Sequence, residues 1–304
     1  MTATVKSAPG DRSTYAHLSE RAEIDRSCAI PCLVWFASSI FWLLSGTAFG
    51  LLASFKLHSP EFLADWSWLT FGRVRPVHRH TVAFGWSAMA GVGVLLWLMC
   101  RLCRVPLMWP NMLVVAAVVW NLGMTVGSIA ILAGESVGIE WLEFPTYAAF
   151  LLFTAFAIMC IWALMTFARR KPGHVYVSQW YMFGALFWFP WLYATVQVLL
   201  ILVPLKGVPQ AAVNWWFGHN ALGLWFTPIG IATAYYLIPK VIGRPIYSYH
   251  LSIMGFWTLA IFYNWAGAHH LVSGPVPAWL VTVSAVGSMM MIIPVTTVAV
   301  NHHM

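Results

Sequence analysis

Residues 110–133 read PNMLVVAAVVWNLGMTVGSIAILA, a run without one charged side chain that starts at a proline and stops at Gly134-Glu135. A stretch of that length and apolarity matches the hydrocarbon thickness of a bilayer when coiled as an α-helix. Its neighbours repeat the pattern. Apolar runs at 30–56, 74–101, 144–168, 178–203, 211–238, 248–273 and 277–300 are each long enough to span, which makes about eight spans. The connections are short and carry Pro106, Pro110, Pro172-Gly173, Pro204, Pro239, Gly243-Arg244-Pro245 and Pro275, residues that end or start helices. The sequence therefore predicts an all-α polytopic transmembrane bundle, with a polar segment at 1–28 and a transmembrane domain at 29–304.

Composition agrees. Of 304 residues, 61% are hydrophobic and 8% charged, and mean hydropathy is +0.76; soluble domains carry about 25% charged residues. The excess of 16 basic over 9 acidic residues is no nucleic-acid footprint, because the basic residues sit in short clusters between spans. Arg101 and Arg104, then Arg169, Arg170 and Lys171, then Lys240 and Arg244 fall in alternate loops, on the side of Lys6, Arg12, Arg21 and Arg26. The positive-inside rule places that side, and the N-terminus, in the cytoplasm. The first 28 residues lack the apolar core of a cleavable signal, and Thr14–Arg26 is expected to form a short interfacial helix. Cys100-x-x-Cys103 has no histidine beside it and reads as packing; no C-x-x-C-H is present, so no c-type haem is attached to this chain.

The outer loops carry Glu61, Asp65, Glu135, Glu140 and Glu143. Arg73 and Arg75 break this pattern just before span two. Charges at that depth need partners, and an anionic ligand and the acidic loops both qualify.

Histidines inside spans are functional candidates by default. His219 lies early in span six, and His269 and His270 near the end of span seven. Counted from the outer ends of their helices, they sit roughly 10 Å and roughly 5 Å deep, so three imidazoles can converge. Neutral imidazole suits copper, zinc, iron or nickel, and three such ligands leave a coordination position open. Tyr263 precedes His270 by two helical turns and is expected on the same face. His78, at the entrance of span two behind Arg73 and Arg75, has the setting of an axial haem ligand with arginines on the propionates; His80 points elsewhere. Thr227, Tyr235, Ser252 and Tyr263 mark a candidate proton relay or, equally, interhelical contacts.

Taken together, Gly72-Arg73-x-Arg75-Pro76-x-His78, Trp215-Trp216-x-Gly218-His219-Asn220, Gly243-Arg244-Pro245-x-Tyr247-Ser248-Tyr249 and Tyr263-x-Trp265-Ala266-Gly267-x-His269-His270 resemble the catalytic subunit of the haem–copper oxidases. The resemblance runs in order from about residue 30 to 300 and is greatest to the C family, the cbb-type cytochrome c oxidases. It implies that His78 ligates a low-spin haem b, that His219, His269 and His270 bind copper opposite a second, high-spin haem b, and that Tyr263 is cross-linked to His219. It also implies a single proton path through Thr227, Tyr235, Ser252 and Tyr263, and cytochrome c-bearing partner subunits that feed electrons for the reduction of oxygen to water in a bacterial inner membrane. Gly138-x-Glu140-x-x-Glu143 shares the family's character at the outer face. Nitric oxide reductases of the same superfamily carry a glutamate near the metal, whereas Asn220, Ala221, Leu222 and Gly223 follow His219. A non-catalytic paralogue would have scattered the three histidines and the tyrosine, and a transporter would place its ion site at mid-depth in broken helices.

The family has about twelve spans and a His-x-His on its tenth, which supplies the high-spin haem ligand and the second low-spin ligand. Neither is present here, and His302 and His303, at the far end of span eight, are some 30 Å of helix from the outer layer. An incomplete reading frame is the expectation, and a second polypeptide carrying the last helices is the other reading. The chain alone is expected to bind haem poorly and not to turn over oxygen.

Overall fold

Unpaired backbone N–H and C=O groups are too costly in hydrocarbon, so a chain this apolar has only helices and closed barrels open to it. The computed structural model describes residues 9–304, with side chains from residue 15, and among the described residues there is no strand. Eight helical segments follow one another: α1 (Pro9–His58), α2 (Phe71–Cys103), α3 (Pro110–Ala133), α4 (Thr146–Ala168), α5 (Val177–Leu202), α6 (Val208–Ile242), α7 (Tyr249–Trp265) and α8 (Ala278–His303). Among the described residues, seven are long and apolar enough to cross a bilayer. The eighth, α7, has 17 residues and tightens into a 3-10 turn at Ala266–Leu271. Helix and turn together reach about 37 Å, against about 30 Å of hydrocarbon.

The predicted division at residue 28 falls inside one continuous helix. At 50 residues, α1 is about 75 Å long, so its first turns stand clear of the bilayer, and the separate helix expected at Thr14–Arg26 is part of it. Glu20 on that extension bonds Arg104 at 2.9 Å and Lys171 at 2.9 Å, and Asp25 meets Arg101 at 3.5 Å. The basic ends of α2 and α4 therefore lie on the N-terminal side, where the charge pattern puts them. Lys6 lies outside the described residues, as does the side chain of Arg12.

Between lipid-embedded helices, association rests on close van der Waals approach rather than on escape from water. Gly46 and Gly50 of α1, a G-x-x-x-G pair, face α2; a Cβ on Gly50 would stand 2.6 Å from the His78 ring, and one on Gly85 of α2 would stand 2.6 Å from the Trp42 Cβ. Indole N–H groups close the remaining polar ends. Trp42 donates to Asn121 Oδ1 at 2.8 Å, Trp35 to the Leu113 carbonyl at 3.2 Å and Trp120 to the Phe84 carbonyl at 2.9 Å, which joins α1, α2 and α3. Three stretches widen into π-helix: Thr81–Ser87 in α2, Gln197–Leu202 in α5 and Leu222–Phe226 in α6. The first follows His80 directly and the third lies just past His219, in keeping with the use of π-bulges at functional sites. All five cysteines are free, and Cys28, Cys100 and Cys103 are buried at helix contacts.

Gly85→Ala is expected to destabilise the bundle by about 1–3 kcal/mol through overpacking. Gly72→Ala, where a Cβ meets nothing within 4 Å, is expected to change it by less than about 0.5 kcal/mol. Unfolding curves of the two variants in the same detergent check the difference.

Candidate metal centre

Two helices and a turn build the site. Trp216 donates to Asn264 Oδ1 at 3.1 Å, and Asn220 donates to the same oxygen at 3.3 Å, which fixes the end of α7 against α6 on either side of His219. The chain then tightens into the 3-10 turn. Gly267 lets that turn lie directly on α6, since a Cβ there would stand 2.8 Å from the Trp215 carbonyl oxygen and 3.2 Å from the His219 Cβ. His219, His269 and His270 meet as a result. Their ring centroids are 4.7 Å (His219–His269), 5.5 Å (His219–His270) and 4.4 Å (His269–His270) apart. One nitrogen from each lies within 4.8 Å of the others, the one such histidine, cysteine or carboxylate cluster among the described residues.

The hydrogen bonds say which nitrogens are free. Ser288 of α8 donates its only hydroxyl proton to the Ser284 carbonyl at 2.9 Å. Its oxygen, 2.8 Å from His269 Nδ1, therefore accepts from that nitrogen, which leaves the His269 Nε2 lone pair for a metal. His219 is buried and its Nε2 has no hydrogen-bond partner, a costly state unless a metal satisfies it. His270 is held by stacking on Trp215, 4.2 Å between centroids. Three converging imidazoles, one with an orphaned nitrogen and one with its tautomer fixed by Ser288, fit a first-row transition-metal ion.

Tyr263 lies elsewhere than an unbroken helix would put it. The tightening after Trp265 ends the two-turn spacing to His270, and the phenol ring stacks instead on His219, 4.2 Å away and 18° from parallel. Gly223, in the π-turn of α6, makes room for it: a Cβ there would fall 1.8 Å from Tyr263 Cε1.

At the head of α2, His78 places Nδ1 2.8 Å from the Gly46 carbonyl of α1, which anchors the ring and leaves Nε2 free. His80 points into the bundle, with Nε2 2.7 Å from Glu143 Oε2 and its ring stacked on Phe144 at 4.2 Å. Arg73 donates to the Leu132 carbonyl at 2.8 Å, and Arg75 stands 3.6 Å from Glu140. Arg73 thus caps the last turn of α3, and Arg75 reaches the acidic outer loop. The stronger anchor is Arg79, which sequence reasoning passed over: it pairs with Glu140 and Glu143 and covers the Trp141 ring at 5.1 Å. Trp141 in turn packs on Gly218, next to His219, so the acidic loop touches both parts of the site.

Of the relay candidates, Tyr235 and Ser252 meet through a residue the sequence did not single out. Asn301, near the end of α8, donates to Tyr235 Oη at 3.1 Å and to Ser252 Oγ at 2.8 Å, and accepts from the Ser248 N–H at 2.7 Å. His302 lies against the Tyr235 ring at 4.5 Å, at this end of the bundle as expected. Thr227 is half-buried on α6 between the two clusters. Asn264, Ser288 and Asn301 are polar residues in predominantly apolar spans, and that was the signal available for each.

Residues 31–304 match the family model described as cytochrome c and quinol oxidase polypeptide I. The chain is 31% identical over 271 residues to a protein of Bradyrhizobium diazoefficiens named cytochrome c oxidase subunit 1 homolog, bacteroid, covering 84% of this chain and 48% of that protein. It is 30% identical over 269 residues to the cbb3-type cytochrome c oxidase subunit CcoN1 of Stutzerimonas stutzeri, covering 84% and 55%. The figures for cytochrome c oxidase subunit 1 of Rhodobacter capsulatus are 30% over 275 residues, covering 84% and 50%. The chain spans about half the length of the curated relatives it matches.

His219→Ala is expected to abolish stoichiometric copper binding. Ser288→Ala, which frees the His269 tautomer, is expected to weaken it about 10–100-fold. Competition against a calibrated copper(I) chelator measures both, and unchanged affinity in His219→Ala would mean that the cluster is not a metal site.

Proposed function

Because this chain belongs to the cytochrome c and quinol oxidase polypeptide I family, we propose that it forms part of the catalytic subunit of a terminal cytochrome c oxidase in a bacterial membrane, reducing oxygen to water and moving protons. The observation that carries this reading is the Tyr263 ring stacked on His219, one of three converging histidines. A phenol in that position has a use in oxygen chemistry and none in simple metal storage.

On this reading His219, His269 and His270 would hold copper, and His78 would hold the iron of a low-spin haem b through Nε2, with Gly46 fixing its other nitrogen. Copper held there, together with a high-spin haem b, would supply the redox chemistry. The high-spin haem ligand and the second low-spin ligand would come from outside these residues. Arg73 and Arg75 stand beside His78 in sequence, where they would balance the propionates' charge.

The chain's own residues do the rest. Tyr263 holds a transferable proton and electron beside His219, and the contact between the two rings supports the cross-link that the family resemblance implies. Protons would enter from the N-terminal side, which the positive-inside rule makes cytoplasmic. There Asn301 holds Tyr235 and Ser252 in one hydrogen-bonded group. From that group the route would pass Thr227 to Tyr263. Electrons would arrive at the opposite face, near His78, from cytochrome c-bearing subunits.

Tyr263→Phe, introduced into the assembled oxidase, is expected to lower oxygen consumption by at least about 100-fold, the range for loss of a positioned proton donor, with metal content unchanged. Oxygen uptake within a few-fold of the parent, at equal metal content, would sink the assignment of Tyr263 and with it the oxidase reading of the site.

A further inference from the structure

A large cavity lies well away from the histidines. It has a volume of about 860 Å³ and lies at the N-terminal end of the bundle, between α1, α2, α5 and α6. Arg21, Arg101, Arg104 and Lys240 line it, against one carboxylate, Glu20. That carboxylate is committed to Arg104 and Lys171. Asp25 stands 3.5 Å from Arg101, yet the Arg101 Nη1 is buried with no hydrogen-bond partner. Arg21 and Lys240 have no ion pair among the described residues, and Lys240 rests over the Tyr236 ring at 4.9 Å. Arg21 and Lys240 thus face the cavity without an ion pair among the described residues, and Arg101 keeps an unsatisfied N–H beside its one partner, Asp25, which stands at the boundary with a second cavity.

A second cavity, about 350 Å³, continues on the same helices toward the membrane interior. Cys28, Cys32 and Phe36 line it on successive turns of α1, with Leu98 of α2 and Leu237 of α6 opposite. Trp97, in the wall of this trough, meets Tyr236, in the wall of the basic cavity, edge to face at 5.3 Å. A chamber lined by basic residues beside an apolar trough has the two-part chemistry of a phospholipid, and basic pockets between transmembrane helices are where anionic headgroups bind.

We propose that the two cavities together hold one anionic phospholipid from the leaflet on the N-terminal side. Its phosphodiester sits among Arg21, Arg101 and Lys240, and an acyl chain lies in the trough along α1. Zwitterionic lipids present the same phosphate with a cation attached, which the cavity's own cations repel. Free phosphate shares the headgroup chemistry without the chain, so the trough distinguishes the two sources.

The test uses the full chain in its membrane assembly, extracted in detergent, stripped of lipid and titrated with dioleoyl phosphatidylglycerol, dioleoyl phosphatidylcholine or inorganic phosphate, with bound species counted by native mass spectrometry. Phosphatidylglycerol is expected to bind at least about tenfold more tightly than phosphatidylcholine, because basic residues near the surface attract anionic headgroups. Arg21→Gln combined with Lys240→Gln is expected to remove that preference. Leu237→Trp, which fills the trough and leaves every cation in place, is expected to weaken phosphatidylglycerol about tenfold. Equal binding of the two lipids, or phosphatidylglycerol binding that neither variant changes, would overturn the proposal. So would inorganic phosphate that competes fully while Leu237→Trp has no effect, since the site would then hold a free anion.

Discussion

The structure depends on how closely the backbone of one helix can approach the side chains of the next. In lipid, apolar surface gains little from leaving its surroundings, and helix contacts are decided by packing distance. Each functional ring here rests on a residue with no side chain. His78 lies over Gly50, Tyr263 over Gly223, and the turn bearing His269 and His270 meets α6 at Gly267. A single methyl at Gly223 would occupy the place of the tyrosine ring. The site is thus determined as much by what is missing from α1 and α6 as by the histidines.

This also explains why the 3-10 turn after Trp265 matters. An α-helix carried on to residue 271 would rotate His269 and His270 with the 3.6-residue period and keep the turn's backbone on the α7 axis. Tightening to three residues per turn, together with the Asn264 contacts to Trp216 and Asn220, draws the histidine pair onto α6. The third support comes from α8, where Ser284 and Ser288, one helical turn apart, pass a hydrogen-bond chain to His269. Three consecutive segments therefore converge on one ligand set, which makes the region from α6 to α8 the structural unit of the site.

Much of this was legible in the sequence because ionisable residues are rare in apolar helices and stand out there. The spans, the loops on the N-terminal side, the convergence of His219, His269 and His270, and the choice of Tyr263 as a candidate all followed from that contrast. What stayed hidden were contacts that carry no compositional signal. Periodicity assumes one helix type, so it paired Tyr263 with His270 when the ring lies on His219. Arg79 was overshadowed by Arg73 and Arg75, although it alone bonds both Glu140 and Glu143. Asn301 was overlooked beside His302, because one amide among apolar residues reads as helix-packing glue until its partners are seen.

The proposed proton route has an internal consistency that no single residue reveals. Thr227 follows His219 by eight residues and precedes Tyr235 by eight, which places it about 12 Å along α6 from each. The π-turn at Leu222–Phe226 lies between His219 and Thr227. A π-turn inserts a residue and so shifts the facing of everything after it; without it, Thr227 and Tyr235 would keep the α-helical register set by His219 and present different faces to α7. The same turn contains Gly223, which gives Tyr263 its place on His219. One local departure from α-helical geometry thus makes room for the Tyr263–His219 contact and, in the proposed route, re-aims the residues that follow it on α6. That coupling is a physical reason for the π-turn to stand where it does.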